Sequence, residues 1–119
     1  MTREGFAALH TNADPLILCN IWDAGSAQAV VRAGAKAIAT GSASLAGSLG
    51  YEDGEAITFD ELLRAVRRIA AVTDLALSVD FETGFAEDLV ELEANAHALH
   101  DNGMVVCKLE DRLFGAERL

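Results

Sequence analysis

The chain has 119 residues, enough for one domain with a buried core and too few for two. Nineteen Asp and Glu against nine Lys and Arg leave a formal net charge of -10, which argues against nucleic acid and anionic membrane as partners. A small anionic substrate would therefore need a metal ion or a local cation to hold it.

From the start, residues 4–10 are predicted as a short helix and residues 11–15 as a turn, with no apolar segment of signal length. No run reaches the roughly 18 apolar residues of a membrane helix, so a soluble, cytoplasmic protein is expected. Residues 16–20 are a short apolar strand of the kind buried on both faces of a parallel sheet. Asp23 or Ser26 can cap the helix that follows, whose Ala27, Val30 and Val31 fall at helical spacing before Gly34 ends it. Residues 35–39 are a second strand, closed by Thr40-Gly41-Ser42. Residues 43–57, rich in Gly, Ser and acids, read as a long loop with room for a helical turn.

Thr58-Phe59-Asp60-Glu61 is a capping box and opens the clearest helix of the chain. Leu62, Leu63, Val66, Ile69 and Ala70 form its apolar stripe, and Arg64, Arg67 and Arg68 lie toward solvent. A third strand runs over residues 75–79. A helix from Glu87-Asp88 turns Leu89, Leu92, Ala96 and Leu99 inward and stops at Asp101-Asn102-Gly103, before a fourth strand over residues 104–109. His10, His97 and His100 have no second ligand at metal spacing and are expected as surface or packing residues. Cys19 and Cys107 fit neither a zinc motif nor a disulfide framework and are expected reduced.

Chemistry concentrates where the strands end. In Ser78-Val79-Asp80-Phe81-Glu82-Thr83-Gly84-Phe85, strand alternation would put Ser78, Asp80 and Glu82 on one face and Leu75, Leu77 and Val79 on the other. Glu110-Asp111 ends the next apolar run, so adjacent parallel strands would deliver carboxylates to one rim, an arrangement suited to a divalent ion. From the residues alone a plainer reading stays open: solvated strand-end acids, loop charges at Asp53 and Glu55, turn residues at Thr40, Gly41 and Ser42, and packing for Trp22. Lys108, on the Glu110 side of the fourth strand, either anchors an anion or neutralises the acid rim. Strands alternating with helices predict an α/β fold of parallel units joined by right-handed crossovers. A full eight-unit barrel takes about 250 residues, and this chain has roughly half of that.

The runs Asn20-Ile21-Trp22-Asp23-Ala24-Gly25-Ser26-Ala27, Thr40-Gly41-Ser42, Gly47-Ser48-Leu49-Gly50-Tyr51-Glu52-Asp53-Gly54-Glu55, Val79-Asp80-Phe81-Glu82-Thr83-Gly84-Phe85 and Leu109-Glu110-Asp111-Arg112 together resemble the isocitrate lyase and phosphoenolpyruvate mutase superfamily. The likeness is greatest to its short-chain branch, with 2-methylisocitrate lyase and the phosphonomutases. It implies a Mg2+-dependent TIM-type barrel, of which these four strands would be the N-terminal half, that makes or breaks a C–C or P–C bond in a 2-oxo or enol carboxylate. It further implies Asp80 as direct metal ligand and Glu82 and Glu110 as ligands through water. Thr40, Gly41 and Ser42 would bind the substrate carboxylate, Trp22 would be a further substrate contact, and Asp53 would be the catalytic residue of a mobile loop. The lyase branch carries a Lys-Lys-Cys-Gly-His loop after the fourth strand, where this chain has no cysteine. Family strands five to eight would have to come from a missing C-terminal half or a second copy. The alternatives are a non-catalytic half-barrel that self-associates, or another Mg2+ enolate barrel such as a class II aldolase.

Overall fold

The computed structural model of the chain describes residues 1–111. Four of the five helices among the described residues begin where a short polar side chain accepts from the free amides of the first turn. Thr2 does this for α1 (Arg3–Ala8), through the Gly5 amide at 3.0 Å. At α2 (Ala24–Arg32) the two expected caps act as one box: Asp23 Oδ1 accepts from the Ser26 amide at 2.7 Å, and Ser26 Oγ accepts from the Asp23 amide at 3.1 Å. A further helix, α3 (Ser42–Ser48), lies inside the segment expected as a loop. The expected box of Thr58 and Glu61 opens α4 (Phe59–Ala70), and Asp88 caps α5 (Leu89–Asp101).

The four strands β1 (Cys19–Ile21), β2 (Ala37–Thr40), β3 (Ala76–Asp80) and β4 (Val106–Lys108) form one sheet in chain order, every pair parallel. The register sets Ile21 beside Thr40, Ala39 beside Ser78 and Asp80 beside Lys108, so all four carboxyl ends open on the same rim. The core packs Ile21, Ile38, Leu77 and Val79 of the sheet against Ala27, Leu45, Leu62, Val66, Ile69 and Leu99 of the helices. The three arginines of α4 stay exposed, as its pattern predicts.

Four expectations need correction. Residues 16–18 do not pair with β2, and Ile17 is 78% exposed; β1 is an edge strand with one neighbour, and only Ile21 of its three residues is buried. Residues 42–48 are helical because Leu45 and Ala46 can bury themselves in the core, which the local excess of small residues concealed. Leu89 does not face inward: it and Val90 are each 80% exposed in the first turn of α5, whose buried contact comes later, at Leu99. Strand alternation does not carry Glu82 to the face of Asp80, because β3 ends at Asp80 and Glu82 has φ 53°. Among the described residues no helix is long and apolar enough to cross a membrane, and Cys19 and Cys107 are both free.

Candidate active site

At the carboxyl rim, the side chain of Thr40 extends the β2–β3 ladder one step beyond its last backbone pair. Thr40 is 1% exposed, and its Oγ1 accepts from the Asp80 amide at 2.9 Å. The hydroxyl thus holds the backbone that carries Asp80. Asp80 Oδ1 accepts from the Glu82 amide at 3.2 Å, and Oδ2 lies 3.8 Å from Lys108 Nζ. Next to Thr40, a Cβ on Gly41 would stand 3.0 Å from both Asn20 Nδ2 and Ser44 Oγ, so this turn admits only glycine without a shift of its neighbours. Ser42, the first residue of α3, is half-buried beside it.

Beyond β3 the chain is pinned by Phe81, buried with its ring centroid 6.3 Å from that of Phe59 and 6.4 Å from that of Phe85. Glu82 then turns into the protein and is 4% exposed. Its Oε1 accepts from the Glu55 amide at 3.1 Å, while Glu55 Oε2 accepts from the Thr83 amide at 2.7 Å and from the Thr83 hydroxyl. This reciprocal clasp fastens the loop that carries Asp53 over the end of β3. Burial pushes the Glu82 carboxyl up from 4.5 to about 7; the Glu55 amide bond opposes this, and the nearby charges of Asp53, Glu55 and Asp80 add to it. Glu55 (φ 61°), Glu82 (φ 53°) and Phe85 (φ 53°) are the non-glycine residues with positive φ among those described, and all three lie here. Such backbone is costly, and its clustering marks functional sites more often than scaffolds.

The structure therefore gathers Thr40, Asp53, Asp80 and Glu82, and adds Glu55 and Lys108. Glu110 joins through its backbone, its amide donating to Glu82 O at 2.6 Å. Trp22, directly after β1, is 41% exposed and lines a cavity of about 340 Å³ with Asp23, Leu49, Glu61, Arg64 and Arg68. Sequence reasoning passed over two residues. Glu55 has no assigned role in the sequence reading, although an acid directly after Gly54 in a Gly-rich segment is a signal; Asn20, beside the Gly41 turn, enters it only as the end of the first strand and the start of a resemblance run. The histidines behave as expected: His10 Nδ1 meets Phe6 O, His100 Nδ1 meets Met104 O, and His97 pairs with Glu93 on the surface. Residues 112–119, where the lyase-type loop would begin, lie outside the described residues.

Among the described residues, no three His, Cys, Asp or Glu side chains stand close enough to hold a metal by themselves. A hard ion such as Mg2+ does not require three, since it retains several waters and takes one or two carboxylates. The donor set fits it in kind: oxygen ligands only, with a buried carboxyl whose ionisation is opposed by three acid neighbours.

Comparison with known proteins places these features in context. Residues 6–118 match the family described as phosphoenolpyruvate phosphomutase. The chain is 33% identical over 116 residues to 2-methylisocitrate lyase of Escherichia coli (strain K12), an alignment covering 97% of this chain and 39% of the relative. A protein from Burkholderia cenocepacia J2315 assigned as a phosphonomutase superposes with a TM-score of 0.89 at 38% identity, covering 94% of this chain and 45% of that one. A phosphonopyruvate hydrolase in complex with oxalate and Mg++ shares the fold with a TM-score of 0.87 at 20% identity, over 98% of this chain and 41% of that one. The chain thus spans less than half the length of each of these proteins.

Proposed function

Since the chain belongs to the isocitrate lyase and phosphoenolpyruvate mutase superfamily, a family of lyases and mutases, we propose that it supplies the metal-binding half of a Mg2+-dependent active site for a 2-oxo or enol carboxylate. Asp80 would hold the ion directly and Glu82 and Glu110 through water. When bound, the ion supplies positive charge where an enolate oxygen becomes negative as the adjacent C–C or P–C bond breaks or forms. The chain's own residues prepare that site. Thr40 fixes the Asp80 backbone, Ser42 and the Gly41 turn face the substrate carboxylate, and the Glu55–Glu82–Thr83 clasp sets the loop from which Asp53 approaches the reacting centre. Trp22 would be a further substrate contact. A cytoplasmic setting agrees with the two free thiols.

The observation that supports this reading most is the crowding of Asp53, Glu55 and Asp80 around a buried Glu82. Like charges are gathered at such cost where a cation is to be received. Titration calorimetry of Mg2+ into the chain and into Asp80→Ala tests it. Loss of the binding heat in the variant is the expected result, and equal heats from both remove the metal site.

A second reading, a half-barrel that self-associates, is favoured by the apolar side chains left at both sheet edges. Ile17 and Leu18 beside β1 are 78% and 37% exposed, and Leu109 after β4 is 51% exposed. Sedimentation velocity decides it: a dimer is expected if a second copy covers these edges, and a monomer at tens of micromolar would dismiss it. The other enolate barrels, class II aldolases among them, are set aside by the family match.

A further inference from the structure

Lys108 is the rim residue to which the reading above gives no role. It ends β4 directly opposite Asp80, the end of β3, and register partners in adjacent strands project to the same face of a sheet. Its ammonium stands 3.8 Å from Asp80 Oδ2, beyond hydrogen-bond length, and its side chain is 63% exposed where that of Asp80 is 15% exposed. The charge is near the carboxylate without being locked to it. An ammonium on a flexible four-carbon stem has three donors and can swing between partners.

The remaining basic side chains among the described residues lie elsewhere. Arg64 and Arg68 line the Trp22 cavity, Arg67 shares the outer face of α4, Lys36 pairs with Asp14, and Arg3 and Arg32 belong to α1 and the last turn of α2. A carboxylate arriving at the rim would meet the charges of Asp53, Glu55 and Asp80, and among the described residues Lys108 is the cation placed to offset them.

On the premise of the proposed function, we infer that Lys108 is an exchangeable cation: its ammonium screens Asp80 while no divalent ion is bound, and is released to grip a substrate carboxylate once an ion takes Asp80. Two consequences follow from that exchange. The ion and the lysine compete for Asp80, so removing the lysine strengthens metal binding. The released ammonium adds to anion binding, so removing it weakens the anion.

Calorimetry with Mg2+ alone, and then with oxalate at saturating Mg2+, tests both on the chain, Lys108→Met, Lys108→Arg and Asp80→Ala. Lys108→Met is expected to bind Mg2+ about 2- to 5-fold more tightly, the range an exposed ion pair allows. Oxalate should bind it roughly tenfold more weakly, as for a lost hydrogen bond to a charged group, with Lys108→Arg retaining most of the affinity. If Mg2+ binding depends on Asp80 yet Lys108→Met leaves both affinities unchanged, or weakens Mg2+, the exchange is wrong and the metal site stands. If Mg2+ binding does not depend on Asp80, both fall together.

Discussion

Glu82→Gln isolates the electrostatic cost concentrated at the end of β3. The substitution keeps the shape and an Oε1 that can accept from the Glu55 amide, and removes the charge that burial and the acid neighbours oppose. In the folded chain this carboxyl titrates at about 7 against 4.5 when free. At about 1.4 kcal/mol per pH unit between those values, its ionisation costs the fold up to about 3 kcal/mol. The sign follows from proton linkage. Between pH 4.5 and 7 the folded chain holds a proton that the unfolded chain has released, so stability is full below about pH 4.5, declines as pH rises, and levels off above about pH 7. The glutamine has nothing to titrate. Urea unfolding of both proteins in EDTA, followed by far-UV circular dichroism at pH 5, 6, 7 and 8, should give near-equal stabilities at pH 5. At pH 8 the variant should lead by on the order of 2–3 kcal/mol. The difference between the two curves cancels the other acids, so parallel profiles, or a variant that loses ground at pH 8, would refute the account of Glu82. Added Mg2+ should recover part of the wild-type loss at pH 8.

Thr40→Val should cost about 1–3 kcal/mol in urea unfolding by leaving the Asp80 amide without its acceptor, and should weaken Mg2+ binding in calorimetry; Thr40→Ser should restore both. Gly84→Ala places a Cβ 2.2 Å from Leu92 Cδ1 at a φ of +94°; Leu92 can rotate aside but the backbone cannot, so a loss of about 1–2 kcal/mol should persist when Leu92→Ala is combined with it. Asp23→Ala should cost about 1 kcal/mol by removing the α2 cap. Hydrogen bonds from the Ser26 backbone and side chain hold the Asp23 carboxyl below its ordinary 3.8, so the wild-type advantage in thermal unfolding should persist at neutral pH and disappear as pH falls through that lowered value.

The features legible in the sequence are those set by neighbours within one or two turns. The Thr58 and Asp23 caps, the stripe of Leu62, Val66 and Ile69, and the apolar runs that become β2 and β3 each depend on a few adjacent residues, and the parallel order follows from their alternation. What could not be read depends on which surfaces find a partner. Residues 16–18 and 89–90 are as apolar as the buried runs, and only the position of β1 at an edge and of the first α5 turn beyond the core leaves them exposed. The site shows the same division more sharply. Alternation predicts Glu82 as a companion of Asp80, and the two do interact, but by another route. A left-handed backbone at Glu82 ends the strand geometry and passes the carboxylate to Glu55, 27 residues earlier, just as Thr40 reaches the Asp80 amide 40 residues away. Neither bond has a local signature, and a left-handed glutamate would be refused on propensity. It persists because Phe81 and the Glu55 clasp fix the chain on either side of it. Residues that contradict their local preference and are held in place by distant ones indicate where the fold is constrained for chemistry, and in this chain they surround Asp80.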